Sequence, residues 1–383
     1  MEAALWDGRA ALPQKEGELQ MSNLRKSCSP VAAMTVGAAA LLVAALPAEA
    51  QSITVVSGGG AYSASQIEAY HKPFAEETGT TVNSADYNFD LGPIRAQVEA
   101  GNVHWDVADV EEHQAIRGCA EGLFEELDVA SLAPAADGTP AQEDFIEGTY
   151  SECAIGTILF STIYAYDERQ FPDGEPQPTT LSDFFDVENF PGRRGLQSKG
   201  QGTLEFALMA DGVAPEDVYD VLSTEEGMNR AFSVLEKVKD DAVWWETGAQ
   251  SVQILADGEV AMTISWNGRI QTAIDEDQLP VKIVWDNQMW MLNMWSIPKG
   301  GANVDLARQF VEFASQPERM ADQANYIPYA PVRQSALELV PEDIARTLPT
   351  YPENFANALK FDASWWADHG DRTENRFTSW LAR

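Results

Sequence analysis

Short apolar segments rich in β-branched residues alternate along the chain with segments whose apolar residues recur at helical spacing. The first pattern occurs at Ile53–Ser57, Thr80–Asn83 and Trp105–Val110 and predicts strands. The second occurs at Tyr62–Glu77 and Leu91–Ala100 and predicts helices. Strands that alternate with helices indicate a mostly parallel sheet with helices on both faces.

The same alternation continues along the rest of the chain. Ala154–Tyr166 is long, apolar and β-branched, and it predicts a strand that leaves one domain for the next. Helices are predicted at Thr203–Ala210 and Val304–Ser315, and a buried strand at Glu259–Trp266. With 383 residues, the chain is long enough for two domains of roughly 150 residues each.

Aromatic residues are concentrated between positions 243 and 298, which hold six of the eleven tryptophans. Flat apolar walls with a few polar groups between them are typical of small-ligand pockets. Trp266 ends a predicted strand, and a polar turn is predicted at Asn267–Arg269, at the strand end where open α/β sheets bind ligands. We therefore expect Trp266 to line a pocket, and Trp285 and Trp295 to be core residues.

The chain is strongly acidic, with 60 acidic and 25 basic residues, a net charge of −35 and an isoelectric point near 4.2. Such a surface repels nucleic acid and anionic lipid, so neither is an expected partner. It would attract cationic ligands, although an acidic surface that only keeps the protein in solution explains most of the excess.

Residues 1–50 have the pattern of an upstream extension followed by a cleaved signal peptide. The basic residues Arg25 and Lys26 precede an apolar run at Val31–Leu46, and Ala48–Ala50 is a small-x-small cleavage site. The pattern predicts an exported protein.

Two cysteines, Cys119 and Cys153, follow the predicted signal peptide. In an exported chain an even number of cysteines favours a disulfide over free thiols. Two cysteines without a nearby histidine pair make a poor zinc site, so no metal is expected.

Motifs for catalysis are missing from the sequence. The four histidines form no metal-binding frame, and there is no Gly-x-Ser-x-Gly segment. Gly58-Gly59-Gly60 lacks the spacing of nucleotide-binding loops, and indicates either a tight turn or a close approach of the backbone to a ligand. We expect a binding protein rather than an enzyme, without a cofactor; a secreted hydrolase that uses paired carboxylates is the less favoured alternative.

Two cations are candidate ligand contacts. Lys199 lies in a glycine-rich loop before a predicted helix, and Arg269 follows Trp266. A guanidinium beside an indole can stack on it and still present two donors to a carboxylate. The alternatives are a solvated surface lysine and an arginine paired with one of the many acids.

Several short motifs occur in a family-specific order: Phe74 to Gly79 (FAEETG), Trp105-Asp106-Val107, Glu121-Gly122-Leu123, Gly258-Glu259-Val260, Trp266-Asn267-Gly268 and Ile297-Pro298. In this respect the chain resembles the periplasmic solute-binding proteins of ABC importers, in the branch that contains the spermidine/putrescine-binding proteins. The resemblance extends from Ile53 to about Val340.

The resemblance implies an α/β protein with the two-lobed periplasmic binding protein fold (type II), in which each lobe has a mostly parallel sheet with helices on both faces. Residues 51–155 with 292–335 would form one lobe, and residues 156–291 with 336–383 the other. The protein would be a periplasmic monomer that closes over a small solute and delivers it to an inner-membrane permease.

The resemblance also implies pocket residues, and the chain departs from the polyamine binders at some of them. Trp266, Tyr329 and Tyr62 match aromatic pocket positions of the family. Asn293 stands where polyamine binders carry a ligand-binding aspartate, and Lys199 lies near another. An ammonium group left unpaired in a closed cleft costs on the order of several kcal/mol, so long free polyamines are disfavoured.

We therefore expect a polyamine-like, amine-bearing or zwitterionic solute. The candidate ligand-binding residues are Tyr62, Glu111, His113, Lys199, Trp245, Glu246, Trp266, Asn267, Arg269, Trp290, Asn293 and Tyr329. Two alternatives on the same fold are a binder of an anionic carboxylate and a ferric-ion binder, the latter using Tyr326 and Tyr329.

Overall fold

A computed structural model of the protein describes residues 51–383. The predicted upstream extension and signal peptide, residues 1–50, lie outside the described residues. Within the described part, the helices are all too short or too polar to cross a membrane.

The strands of the described chain form one sheet in the order β2-β1-β3-β8-β4-β7-β5-β6, with β9 paired to β4 and β10 paired to β8. Their bounds are β1 Ser52–Ser57, β2 Thr81–Asp86, β3 Val107–Glu111, β4 Ile155–Asp167, β5 Arg194–Gln197, β6 Val243–Trp245, β7 Met262–Trp266, β8 Val281–Ser296, β9 Ala330–Pro331 and β10 Leu359–Lys360.

Parallel pairing occurs toward the two ends of this sheet and antiparallel pairing in its middle. Strand β1 runs parallel to β2 and β3, and β5 runs parallel to β6 and β7. The long strands β4 and β8 run antiparallel to each other and to their outer neighbours β7 and β3. The expected α/β fold with long crossing strands is therefore confirmed.

Helices connect the strands and cover the sheet. Their bounds are α1 Gly60–Gln66, α2 Lys72–Thr78, α3 Leu91–Glu99, α4 Glu112–Ala120, α5 Ala141–Asp144, α6 Leu181–Phe185, α7 Thr203–Ala210, α8 Val218–Leu222, α9 Glu225–Leu235, α10 Gly248–Ala256, α11 Asn267–Asp277, α12 Val304–Ala314, α13 Pro317–Gln323, α14 Gln334–Leu337, α15 Glu342–Ala345 and α16 Ala363–Leu381. A π-helical turn at Ile67–His71 joins α1 to α2, and short 3-10 turns occur at Val129–Ser131, Pro215–Asp217 and Lys239–Asp241.

One local prediction was wrong. Asn267–Arg269 is not a turn but the first turn of α11, because the extended backbone of Trp266 serves directly as the helix N-cap. The side chains of this helix start are thereby fixed by helical geometry, so the position of Arg269 is set by β7 and α11 together.

Buried apolar side chains form two large cores. One contains Ile53, Phe74 and Phe310, and the other contains Phe184 and Phe206. The long strands β4 and β8 contribute residues to both cores. The expected boundaries of the lobes, 51–155 with 292–335 and 156–291 with 336–383, stay a prediction.

The tryptophans expected to be core residues are placed differently from each other. Trp295 is fully buried in the first of these cores, as expected. Trp285 is half-buried and packs at the edge of a smaller cluster around Ile163 and Ile270.

Candidate functional site

A small cavity lies where the end of β3, the crossing strands and the first turns of α1 and α11 meet. It encloses about 20 Å³. Its lining residues are Tyr62, Phe89, Glu111, Ile158, Phe160, Trp266, Arg269, Asn293 and Tyr329. This volume holds about one water molecule, so the lining side chains must move apart before a solute can enter.

The walls of the cavity are aromatic rings packed edge to face or tilted against each other. The ring of Tyr329 lies 5.5 Å from the ring of Tyr62 and 5.7 Å from that of Phe160, between centroids. The ring of Phe160 lies 6.4 Å from that of Trp266. Such walls offer apolar faces for methylene groups and hold one another in place, because edge-to-face pairs are favourable.

Arg269 brings a positive charge to one side of the cavity. Its Nη2 donates to the carbonyl oxygens of Gly58 and Gly59, 3.1 Å in each case, and its guanidinium carbon lies 5.4 Å from the centre of the Trp266 ring. Its Nε has no hydrogen-bond partner among residues 51–383. Because a buried guanidinium is stabilised by an anion, this side of the cavity is suited to a carboxylate.

The glycine segment after β1 gives Arg269 room. A Cβ atom placed on Gly60 would lie 2.8 Å from Nη1 of Arg269. The backbone at Gly60 therefore comes close to this guanidinium, and the predicted approach of the glycine segment to a ligand stays a prediction.

Glu111 brings a negative charge to the cavity. It is the last residue of β3 and caps α4. Its Oε2 accepts a hydrogen bond from Gln201 Nε2 at 2.8 Å and lies 3.4 Å from Nδ1 of His113. Burial lowers the pKa of His113, which favours the neutral imidazole, while Glu111 acts in the opposite direction. Glu111 therefore remains available to a cationic group of the solute.

Asn293 lies at the floor of the cavity with one polar atom unused. Its Nδ2 donates to the hydroxyl oxygen of Tyr62 at 3.4 Å. Its Oδ1 is buried and has no hydrogen-bond partner within the described chain. A buried acceptor without a donor is unfavourable, so a donor on the solute would stabilise this arrangement.

Tyr62, Glu111, Trp266, Arg269, Asn293 and Tyr329, all predicted from the sequence, thus meet in one cavity. The other predicted residues lie outside its lining. Asn267 is fully buried and uses its amide to accept from the Ser161 N–H at 2.9 Å and to donate to the Pro328 carbonyl at 2.8 Å. Its amide therefore ties α11 to the crossing strand β4.

The remaining predicted residues surround the site at greater depth or lie at the surface. Trp245 is buried behind Trp266, with the ring centres 5.6 Å apart. Trp290 is half-buried beside Phe355, and Glu246 is exposed. Lys199 and His113 are half-buried and are also absent from the residues that line the cavity.

Three lining residues were not predicted: Phe89, Ile158 and Phe160. Ile158 and Phe160 belong to the apolar run of β4, whose pattern cannot separate a cavity wall from the core. Phe89 has a left-handed backbone, with φ of 49°, in the loop after β2. The sequence does not predict this conformation for Phe89, because such a φ is rare in residues other than glycine.

Comparisons with known proteins agree with this architecture. The sequence profile of a family described as bacterial extracellular solute-binding protein matches residues 69–355. A gamma-aminobutyric acid-binding protein of Pseudomonas aeruginosa is 44% identical over 340 residues, covering 89% of this chain and 94% of that protein.

Solved structures show the same fold. The binding protein MotA from A. tumefaciens B6, in complex with glucopine, has a TM-score of 0.79 and 30% identity, covering 86% of this chain and 100% of that one. The structure of a GABA receptor has a TM-score of 0.75 and 30% identity, covering 87% of this chain and 98% of that one.

Proposed function

Because the chain belongs to the family of bacterial extracellular solute-binding proteins and is the substrate-binding component of an ABC transporter, we propose that its solute is a small zwitterionic amino acid such as γ-aminobutyric acid (GABA). The observation that carries the proposal is that Arg269 and Glu111, one cation and one anion, line the same small cavity.

The two charges would determine the orientation in which the solute binds. The carboxylate of the solute would bind the guanidinium of Arg269, whose Nε is unpaired within residues 51–383. The ammonium group would bind Glu111 and the free Oδ1 of Asn293. Charge-assisted hydrogen bonds at both ends fix the orientation of the solute as well as its affinity.

The aromatic walls account for the part of the solute between its charges. Methylene groups would lie against the rings of Phe160, Trp266 and Tyr329. Arg269 would repel any cationic end of a polyamine that entered its side of the cavity. The related proteins named for GABA support a linear ω-amino acid over a larger derivative.

We further propose that the protein acts in the periplasm as a monomer without catalytic activity. Solute-binding proteins of ABC importers deliver the bound solute to a permease. Since the charged groups of the cavity are arranged for complementarity to a ground-state zwitterion, retention and release of an unchanged solute is the expected chemistry.

Calorimetric titration with GABA, butyrate, butylamine and spermidine tests the proposal. GABA should bind one to one, and butyrate and butylamine at least about tenfold more weakly, because each leaves one buried charge unpaired. Tighter binding of spermidine than of GABA would refute the proposal.

Variants locate the contact with the carboxylate. Arg269→Gln should weaken GABA binding by about 30-fold or more, whereas Arg308→Gln should not change it. Arg308 is the matched control, since its guanidinium also donates to a backbone carbonyl, that of Glu126, away from the cavity. Equal losses in both variants would contradict the assignment.

A further inference from the structure

Asp109 carries a carboxyl group that is fully shielded from solvent in the middle of β3. Its Oδ2 accepts hydrogen bonds from Ser57 Oγ at 3.0 Å and from Gln66 Nε2 at 2.7 Å, and both of these donors are neutral. Its Oδ1 has no hydrogen-bond partner within residues 51–383. Buried carboxylates are normally paired with a cation, so this one is unusual.

Two residues that line the solute cavity are the neighbours of this carboxyl group on its cavity side. Tyr62 and Asn293 both lie close enough to Asp109 to favour its ionised form. They are also linked to each other through the 3.4 Å hydrogen bond from Asn293 Nδ2 to the Tyr62 hydroxyl. One layer of neutral polar groups therefore separates Asp109 from the cavity.

The other groups around Asp109 add no positive charge. Tyr87 donates from its hydroxyl to the backbone carbonyl of Asp109 at 2.5 Å, and Tyr70 lies close enough to sense its charge. Glu111 is two residues further along the same strand, and Trp295 is opposite in β8. The facing side chains are thus phenols, amides, a hydroxyl, an indole and a second acid.

We propose that Asp109 is a specificity-determining residue, which selects solutes with a cationic head group by supplying negative charge beneath the floor formed by Tyr62 and Asn293. This inference rests on the proposed function, because it takes the ammonium group of the solute to lie at that floor. Asp109 does not touch the solute; it acts through Asn293 and Tyr62. In a medium of low dielectric constant, charges interact over such a distance far more strongly than in water.

A measurable consequence is that binding of the solute is coupled to release of a proton from Asp109. Burial raises the pKa of the Asp109 carboxyl group to about 7, and the nearby Tyr62 together with the hydrogen bonds from Gln66 and Ser57 only partly opposes this. A bound ammonium group stabilises the carboxylate, so binding below pH 7 must release the proton from Asp109. Affinity should then fall by up to about tenfold for each pH unit below the pKa.

The solute does not titrate in the same range, since an amine and a carboxylate such as those of GABA have pKa values near about 10 and about 4. Burial lowers the pKa of His113, beside Glu111, from its ordinary value.

The experiment is calorimetric titration of the full protein with GABA at pH 8, 7 and 6, in two buffers of different ionisation enthalpy. We expect binding about tenfold weaker at pH 6 than at pH 8, and release of about half a proton per solute at pH 7. Asp109→Asn should bind GABA weakly at pH 8 and lose this pH dependence. The proton release of the wild-type protein tests the inference without any variant.

Glu205→Gln is the matched control. Glu205 is also fully buried, with a pKa that burial raises to about 7, but it bonds to Trp366 and Tyr219 and does not line the cavity. This variant should keep the full pH dependence of binding. If it abolishes that dependence instead, the proton belongs to Glu205 and the inference is wrong.

The remaining outcomes separate this inference from the proposed function. Wild-type affinity that is constant from pH 6 to pH 8, without proton release, overturns the role of Asp109 and leaves the proposed function intact. Failure of the wild-type protein to bind GABA at pH 8 overturns the proposed function, and the role of Asp109 with it.

Discussion

The guanidinium of Arg117 donates two hydrogen bonds to the carboxylate of Asp371, 2.8 Å from Nη1 to Oδ1 and 2.9 Å from Nη2 to Oδ2. Arg117 lies in α4 and Asp371 lies in α16, near the other end of the chain. In the predicted assignment of lobes, these helices belong to different lobes. On that assignment the pair joins the two lobes, at a point that is not part of the cavity lining.

Arg117→Ala should weaken solute binding by about two- to fivefold. The two side chains are partly exposed, at 35% and 74%, and such salt bridges contribute about 0.2–1 kcal/mol. On the predicted assignment of lobes, this pair forms only when the lobes are close together, so its loss is expected to favour an open protein and to lower affinity. Titration calorimetry at low and high salt is the measurement, and the effect should shrink at high salt.

Arg346→Ala is the control for this prediction. Arg346 forms a salt bridge of 2.8 Å with Glu342, but the two residues are neighbours on one helical turn. Its removal takes away a similar exposed pair without affecting the approach of the lobes. The same loss of affinity in both variants would show that the pair at Asp371 has no special role.

Gly60→Ala should reduce both stability and solute affinity. Gly60 has φ of 58°, and an added Cβ would lie 2.8 Å from Nη1 of Arg269. The side chain of Arg269 must then move, and with it the donor that we assign to the carboxylate of the solute. We expect affinity to fall by about tenfold or more, since a misplaced buried charge contact commonly has an effect of this size.

Gly79→Ala separates the effect on stability from the effect on solute affinity. Gly79 has φ of 73°, but a Cβ there would meet no atom within 4 Å. Both variants should lose about 1 kcal/mol of unfolding free energy from the left-handed backbone, while only Gly60→Ala should lose affinity. Parallel thermal unfolding and calorimetry make the comparison. Unchanged GABA binding in Gly60→Ala would contradict the role given to Arg269.

Local patterns in the sequence were sufficient for much of the fold. The bounds predicted for the helix Thr203–Ala210 agree with the structure, because apolar spacing is a local signal. The long strand at Ala154–Tyr166 was visible for the same reason, since both of its faces are buried.

The site was predictable only in part, because it depends on contacts between distant segments. The motif Trp266-Asn267-Gly268 pointed to the right strand end, but the amide of Asn267 bonds to backbone groups 106 and 61 residues away. Asp109 gave a usable signal that was overlooked. A charged residue in the middle of an otherwise apolar strand indicates a buried carboxyl group.

The disulfide between Cys119 and Cys153 should contribute measurably to stability. It joins the end of α4 to the segment before β4, with a sequence separation of 34 between the partners and 6.1 Å between their Cα atoms. Closing a loop of this length restricts the unfolded chain and stabilises the fold by roughly 2–4 kcal/mol. Thermal unfolding with and without a reductant should show a clear decrease in the midpoint.

A variant with serine at both positions provides the control. Its midpoint should match that of the reduced wild-type protein and should not respond to the reductant. An equal response of the wild-type and the serine variant would mean that the reductant acts elsewhere, and no response of the wild-type would mean that the disulfide adds nothing.

The unfolding midpoint of the solute-free protein should rise when the pH is lowered from 8 to 6.5. Burial raises the pKa of Asp109 and of Glu205 to about 7 in the folded protein, whereas both titrate near about 4 when unfolded. The folded state therefore holds protons that the unfolded state releases, and this stabilisation is lost as the pH rises through 7. Between pH 8 and 6.5 the expected gain is about 1 kcal/mol for each group.

The predicted rise in the unfolding midpoint is limited to pH 6.5 and above, because below this pH the titration of His71 lowers the stability of the folded protein. Burial lowers the pKa of His71 to about 4, so the unfolded chain takes up a proton between pH 6.5 and 4 that the folded chain does not. High salt is needed in the measurement, because the net charge of −35 destabilises the folded protein at pH 8 in the same direction. Glu205→Gln should remove about half of the rise, and Glu342→Gln, at an exposed position, should remove none of it. A wild-type midpoint that stays level or falls between pH 8 and 6.5 would mean that both buried carboxyl groups are already ionised in the folded protein.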